Sequence, residues 1–282
     1  MNKLFVDNLT VMDFSYLHAE RGLLGESWIV DIELLGELDA QGMVFDFGHV
    51  KKTIKRIIDE ELDHKLVIAR GMPELTLQTD ASNTRIDAKL SGNHRIFHVS
   101  PTQALALIDG IEVTKAGVID YLSKILITQL PKNVKGLTIN LRDEIIHGAF
   151  YHYSHGLKKH DGNCQRIAHG HRSKLEIYIN DQRDPTLENL WASTFKDIYI
   201  GTHEDLIDLE NAPNENCSFA YIANQGEFKL SLPSRSVYLI NTDSTVEWIA
   251  THIAEQIKAG QPSNKIKVKA FEGVGKGAIA EA

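Results

Sequence analysis

The sequence predicts an α+β protein built from two similar halves, and three observations carry that prediction. Strand-like runs alternate with amphipathic helical stretches. The order strands, helices, strand recurs weakly with a period of about 140 residues. The chain is 282 residues long, enough for one large domain or two of about 140 each.

The first half opens with β-branched and aromatic runs near 3–17 and 27–37, which read as strands. A helix follows over 47–61. Val50, Ile54, Ile57, Ile58 and Leu62 share one face of it, and Asp46 stands where an N-cap belongs. Its charges run against the helix dipole, with Lys51, Lys52, Lys55 and Arg56 early and Asp59, Glu60 and Glu61 late. A second helix is predicted from near Pro101 to about 127. The run LTINL closes the half as a strand near 142. In the second half, strands are predicted near 145–156 and 171–180, then a longer irregular middle. Cys217 falls there in the strand-like run CSFAYIA, as a small apolar residue. A helix carries Val246, Ile249, Ile253 and Ile257 on one face, and a last strand spans KIKVKAFEG.

Composition narrows the function. A hydrophobic content of 43% supports a sizeable core. The formal net charge of -8 disfavours bulk binding to nucleic acid or to an anionic membrane. Two cysteines build no disulfide framework and suit a reducing, cytoplasmic setting. Asp7 and Asp13 interrupt the apolar core a signal peptide needs. No run of about 18 apolar residues predicts a membrane span.

The densest chemistry lies between His147 and His171, which holds six of the thirteen histidines. His169-Gly170-His171 sits just before the strand-like KLEIYI. On a strand, alternation points both imidazoles to one face. A third histidine from a neighbouring strand completes a three-nitrogen face, the pattern of a catalytic zinc with an open position. An isolated His-x-His is more often a polar strand, and the crowd of imidazoles around this one shifts the balance. Cys164 lies close by, where a divalent cation and imidazoles favour the thiolate.

These residues resemble the 6-pyruvoyltetrahydropterin synthase and 6-carboxytetrahydropterin synthase family in a tandem, two-copy form. Gly42 to Phe47 (GMVFDF) and Leu62-Asp63-His64 match family segments in the first half. His155, Cys164, His169-Gly170-His171, Thr245-Val246-Glu247 and Phe271-Glu272 match others in the second. The first half keeps FSYLH at 14–18 but has Gly25 to Trp28 (GESW) in place of the His-Gly-His, and Arg142 near the place of the anchoring glutamate. The halves are therefore complementary.

The resemblance implies a tandem T-fold: residues 1–142 supply the Asp-His pair, and residues 143–282 supply the zinc ligands, the cysteine and the pterin-anchoring glutamate. Each half would carry a four-stranded antiparallel sheet and a helix pair, closing into barrels in a homo-oligomer with sites at interfaces between halves. It implies Zn2+ on His155, His169 and His171, with Cys164 as base and Asp63-His64 as proton shuttle. Glu272, with Thr245 and Glu247, would bind the pterin. Ser244 or Thr245 as an N-cap explains the helix start without function. Lys158, Lys159, Arg166 and Arg172 are candidates for a triphosphate.

The implied reaction turns 7,8-dihydroneopterin triphosphate into 6-carboxy-5,6,7,8-tetrahydropterin with loss of triphosphate and acetaldehyde, feeding queuosine-type deazapurine synthesis. The alternatives are the pyruvoyl-forming enzyme, which only eliminates triphosphate, and a non-catalytic pterin-binding or scaffold protein. Four residues separate Cys164 from His169, between the spacings of the two subgroups. Lys65 to Arg70 replaces the usual Leu-Asn after the Asp-His pair. Both departures leave the product open. A zinc hydrolase of another fold would want a His-Glu-x-x-His helix, which the sequence lacks.

Overall fold

The computed structural model describes residues 1–210 and 212–282. The chain opens with a long hairpin, β1 (Asn2–His18) and β2 (Gly22–Gly36), then α1 (Phe47–Glu61) and β3 (Leu66–Ala69). An antiparallel meander follows: β4 (Leu75–Thr79), β5 (Asn83–Lys89) and β6 (Arg95–Pro101). The half closes with β7 (Leu105–Ile108), α2 (Lys115–Gln129) and β8 (Val134–Arg142). The second half repeats this order. It runs β9 (Phe150–His155), β10 (His169–Ile179), the short β11 (Gln182–Arg183), α3 (Pro185–Thr194) and β12 (Ile198–Thr202). A second meander, β13 (Leu206–Ile207), β14 (Asn216–Ala223) and β15 (Gly226–Pro233), leads to β16 (Val237–Ile240), α4 (Val246–Gly260), β17 (Ile266–Phe271) and β18 (Gly277–Glu281).

Among the described residues three sheets form, and they correct the expectation of four-stranded antiparallel ones. The first has five strands in the order β7-β3-β1-β2-β8. The second has seven, in the order β16-β12-β9-β10-β17-β18, with β11 added on β10. Both are mixed, because β3 runs parallel to β1 and β7, and β12 runs parallel to β9 and β16. The cause is local: a helix carries the chain from the hairpin back to a parallel partner, and the meander then returns it for a second parallel strand. The meanders of the two halves join edge to edge through β15 and β6 into a six-stranded sheet, β13-β14-β15-β6-β5-β4. His98 faces Leu230 at the centre of that seam.

The expected α1 and α4 form as read. Val50, Ile54, Ile57 and Ile58 are buried, and the Asp46 carboxylate accepts the His49 amide hydrogen. The dipole-opposed charges of α1 pair along the helix, Lys55 with Asp59 and Arg56 with Glu60. Thr245 caps α4 by accepting from the Trp248 amide. The helix expected from Pro101 instead starts at Lys115, capped by Thr114. Residues 105–108 form a buried strand, and a short continuous apolar run does not distinguish these two fates. The middle of the second half is not irregular: it holds α3, β12 and the second meander.

Each helix pair covers one face of its own main sheet, giving a core around Phe14, Ile54 and Leu122 in the first half and one around Tyr151, Leu175 and Ile253 in the second. A third core, with Leu17, Ile86, Ile167 and Leu230, is shared by both halves. No described helix is long and apolar enough to cross a membrane.

Candidate active site

His155 ends β9 and His169 starts β10, and antiparallel pairing sets them opposite each other. His171 lies two residues on, so it shares the face of His169. The ligand atoms of His155, His169 and His171 lie within 4.8 Å of one another, and all three side chains are buried. The His155 Nδ1 donates to the Ser244 carbonyl at 2.8 Å. The His169 Nδ1 donates to the Arg166 carbonyl at 2.9 Å. A carbonyl can only accept, so both rings carry the proton on Nδ1 and present a bare Nε2. The Nε2 atoms of all three rings are buried without a hydrogen-bond partner. Burial holds the imidazoles of His155 and His169 well below the usual histidine range, so both are neutral. Three convergent nitrogens without hydrogen-bond partners fit a zinc ion with a position left open. The other crowded histidines stay outside: His147 and His160 are exposed, and His152 donates its Nδ1 hydrogen to the Gly25 carbonyl at 2.8 Å.

Cys164 lies on a 3-10 turn, Asn163–Gln165, within the loop between β9 and β10. Its carbonyl accepts the Leu157 amide hydrogen at 2.9 Å. Buried Gln165 anchors the turn, receiving the Tyr221 hydroxyl on its backbone oxygen at 2.8 Å and the Gln225 amide on Oε1 at 2.6 Å. From the first half, His64 reaches this turn at the end of α1. Its backbone is left-handed, with φ of 56°. The His64 Nδ1 sits 2.6 Å from the Asp63 carboxylate. His64, Cys164 and His169 place their ligand atoms within 4.8 Å of one another. Burial alone would lower the His64 pKa, but hydrogen bonds to Asp63 and to Cys164 outweigh it and raise it to about 10. The Asp-His pair and the cysteine thus meet within one chain, across the boundary of the two halves.

The Glu272 Oε1 lies 3.8 Å from the His171 Nε2, at the rim of the imidazole face. Thr245 caps α4, while Glu247 is exposed in its first turn. Lys158 is bound to Asp205 and Glu204, and Lys159 to Asp243. Arg172 stacks over Phe150, 4.3 Å from the ring centroid. Arg166 is buried against the carbonyls of Asp63 and His64. Burial lowers its guanidinium to about 10 and lowers the neighbouring Lys65 as well.

Three contributors carry no signal in the sequence. Asp13 places Oδ1 3.2 Å from the His171 Nδ1. Ser27 donates its hydroxyl hydrogen to that carboxylate. Lys276 lies 3.2 Å from its other oxygen. Asp13 and Ser27 reach the site from the paired strands β1 and β2, and Lys276 from the turn between β17 and β18.

The fold also explains why the equivalent positions of the first half form no such imidazole face among the described residues. Ser15 meets Ser154, and Gly25 meets Gly170. In the hairpins Ser15 pairs with Gly25 and Ser154 with Gly170, so these are equivalent positions. Tyr16, Leu24 and Glu26 are then the counterparts of His155, His169 and His171, and no metal face can form from them. This corrects the sequence reading by one residue: Leu24-Gly25-Glu26, not Gly25 to Trp28, occupies the place of the His-Gly-His. The counterpart of Glu272 is likewise Asp143, one residue beyond Arg142. His18 is spent at the hairpin turn, accepting from the amides of Glu20 and Arg21.

This duplicated α+β chain brings three convergent imidazoles, a neighbouring cysteine and an Asp-His pair into one place that could hold a metal ion. The 6-pyruvoyl tetrahydropterin synthase family profile matches it twice, over residues 11–135 and 144–281. The chain belongs to that family. Two archaeal relatives, from Pyrococcus horikoshii and Pyrococcus abyssi, are each 23% identical over 138 residues, covering 49% of this chain and 79% of theirs. Both are provisionally named 6-carboxy-5,6,7,8-tetrahydropterin synthase. Solved 6-pyruvoyl tetrahydropterin synthases from Plasmodium vivax and Plasmodium falciparum are similar at 18% and 15% identity, each with a TM-score of 0.39 over 50% of this chain and 97% of theirs.

Proposed function

We propose that this chain is a zinc-dependent pterin-forming lyase. In this reading it converts 7,8-dihydroneopterin triphosphate to 6-carboxy-5,6,7,8-tetrahydropterin, releasing triphosphate and acetaldehyde. The observation that carries the reading is the convergence of three bare, buried Nε2 atoms beside a cysteine that also faces an Asp-His pair. The names of the archaeal relatives support the carboxy product over the pyruvoyl one.

His155, His169 and His171 would hold the zinc, which when bound supplies Lewis acidity at the side-chain hydroxyls and acidifies the adjacent C–H. Cys164, as thiolate, takes the proton from carbon. His64 has its Nδ1 engaged by Asp63, which leaves its other nitrogen to pass a proton at the substrate side chain. Glu272 receives the amino-pyrimidinone edge of the pterin, where a carboxylate can accept two parallel N–H bonds. Thr245 and Glu247 are assigned to the same pterin pocket. The halves 1–142 and 143–282 then complete one site between them.

The outer strands β7, β8, β16 and β18 each keep one edge without a partner strand among the described residues, which supports a symmetric homo-oligomer built edge to edge. Sedimentation of a stable, active monomer would end that part of the proposal.

The decisive experiment is product analysis after incubating zinc-loaded protein with dihydroneopterin triphosphate. Acetaldehyde with triphosphate marks the carboxy route. Triphosphate without acetaldehyde marks the pyruvoyl route. Pterin binding without turnover marks a scaffold.

A further inference from the structure

We propose that Asp13, from the first half of the chain, is a positioning residue of the metal centre: it fixes the ring of His171 so that Nε2 faces the metal. This rests on the zinc reading above. His155 and His169 are oriented by carbonyls of their own half. His171 is not. The group beside its Nδ1 is the Asp13 carboxylate, contributed by β1 at an ion-pair distance of 3.2 Å, without the alignment of a formed hydrogen bond. A carboxylate behind a ligating imidazole sets the tautomer, holds the ring angle and raises the basicity of the metal-bound nitrogen.

Asp13 is built to be held still. Its side chain is only 4% exposed. Ser27 donates to one oxygen and Lys276 lies 3.2 Å from the other. Its backbone is clamped by the shuttle pair: the Asp13 amide donates to the Asp63 carboxylate at 2.7 Å, and the Asp13 carbonyl accepts the His64 amide hydrogen at 2.7 Å. Asp13 therefore ties the metal face to the Asp-His pair through one rigid residue. The equivalent contact in the other half has the chemistry reversed. His152 stands in the place of Asp13 and Glu26 in the place of His171, with 3.8 Å between them. The carboxylate-imidazole contact thus survives on both sides of the pseudo-symmetry, but only one side backs an imidazole that can ligate.

The test is zinc affinity by chelator competition on the full-length protein, alongside activity. Asp13→Asn keeps the shape and removes the charge, and should weaken zinc binding about 10- to 100-fold. Ile54→Val, in the first-half core, is the structural control and should leave affinity unchanged while lowering the melting temperature. A second variant, Ser27→Ala, leaves the carboxylate in place but loosens it. It should weaken affinity by a smaller factor, and it keeps the test open if Asp13→Asn folds poorly. Long-range 15N NMR of the zinc-loaded protein should show His171 protonated on Nδ1 and metallated on Nε2, with that pattern broadened in the variants. Zinc affinity in Asp13→Asn or Ser27→Ala within twofold of the parent would overturn the inference while leaving the zinc centre standing. A parent protein that takes up no zinc would overturn the centre, and this inference with it.

Discussion

Ser15 and Ser154 share a hydrogen bond of 2.7 Å across the contact between the two halves, and they are equivalent residues of the repeat. The pseudo-twofold relation passes between them and again through the His98–Leu230 pair of the shared sheet. Everything the candidate site needs from both halves is delivered by this crossing. Asp13, Ser15 and Leu17 alternate with Met12, Phe14 and Tyr16 along β1. Met12 and Phe14 face the helices, while Asp13 and Ser15 reach the second half.

Substitution of Gly25 should therefore damage the site without touching a ligand. A Cβ at Gly25 would collide with the Tyr153 carbonyl oxygen and the His171 amide nitrogen, and one at Gly170 with the Tyr153 carbonyl. These are backbone atoms and cannot swing aside. Gly25→Ala is expected to cost about 3 kcal/mol of stability and to lower zinc content. Gly42→Ala is the control for space: it has a positive φ but an open surrounding, so only local backbone strain should register. Thermal unfolding with metal analysis checks both.

The pH response of stability should reveal His98. It is buried, its Nδ1 has no hydrogen-bond partner, and burial lowers its pKa from 6.5 to about 3. Between those values the unfolded chain binds a proton that the folded chain refuses. Stability is therefore intact above 6.5 and falls as the pH drops toward 3. At pH 5 the penalty is about 2 kcal/mol, from about 1.36 kcal/mol per pH unit. His98→Leu copies the residue at the equivalent position, Leu230, and should remove the penalty. Denaturant midpoints at pH 7.5 and pH 5 would differ less in the variant than in the parent. Equal acid sensitivity of the two would show that His98 is protonated in the folded state.

How far the sequence disclosed all this depends on the range of each interaction. α1, α4 and their caps were legible because helix periodicity and capping act within a few residues, as with Val50, Ile54 and Asp46. The imidazole face was legible because His169 and His171 lie two residues apart on a strand and His155 on the adjoining one. The parallel strands β7 and β16 were not, since four apolar residues such as Leu105 to Ile108 fit a helix equally well. The six-stranded seam was not, because it pairs residues 132 positions apart with no local mark, His98 with Leu230. Asp13 and Lys276 were missed for the same reason: nothing adjacent to either in the sequence points to a metal ligand.

Cys164 should act as a base without holding the metal. Cys164→Ala is expected to keep its zinc and its melting temperature while activity falls about 10^2- to 10^4-fold. The geometry offers a rival arrangement, because His64, Cys164 and His169 also form a compact donor set. Loss of zinc together with activity in Cys164→Ala would assign the metal to that second set and remove the cysteine from the role of base.

Each chain should complete its own site. His64 and Cys164 come together within a single chain, with Arg166 bridging the Cys164 turn to the carbonyls of Asp63 and His64. The halves are locked by the shared six-stranded sheet, by Gly25 against Gly170, and by the ion pair of Arg21 with Asp197. An exchange of halves between chains would have to break all three contacts. His64→Ala and Cys164→Ala proteins, each inactive, should therefore stay inactive after unfolding and reassembly together, even when mass spectrometry shows mixed oligomers. In the same experiment, parent protein reassembled with either variant should give activity in proportion to the parent chains present. Regained activity in the doubly mutant mixture would mean that the site is completed by a neighbouring chain, with the halves swapped between protomers in solution.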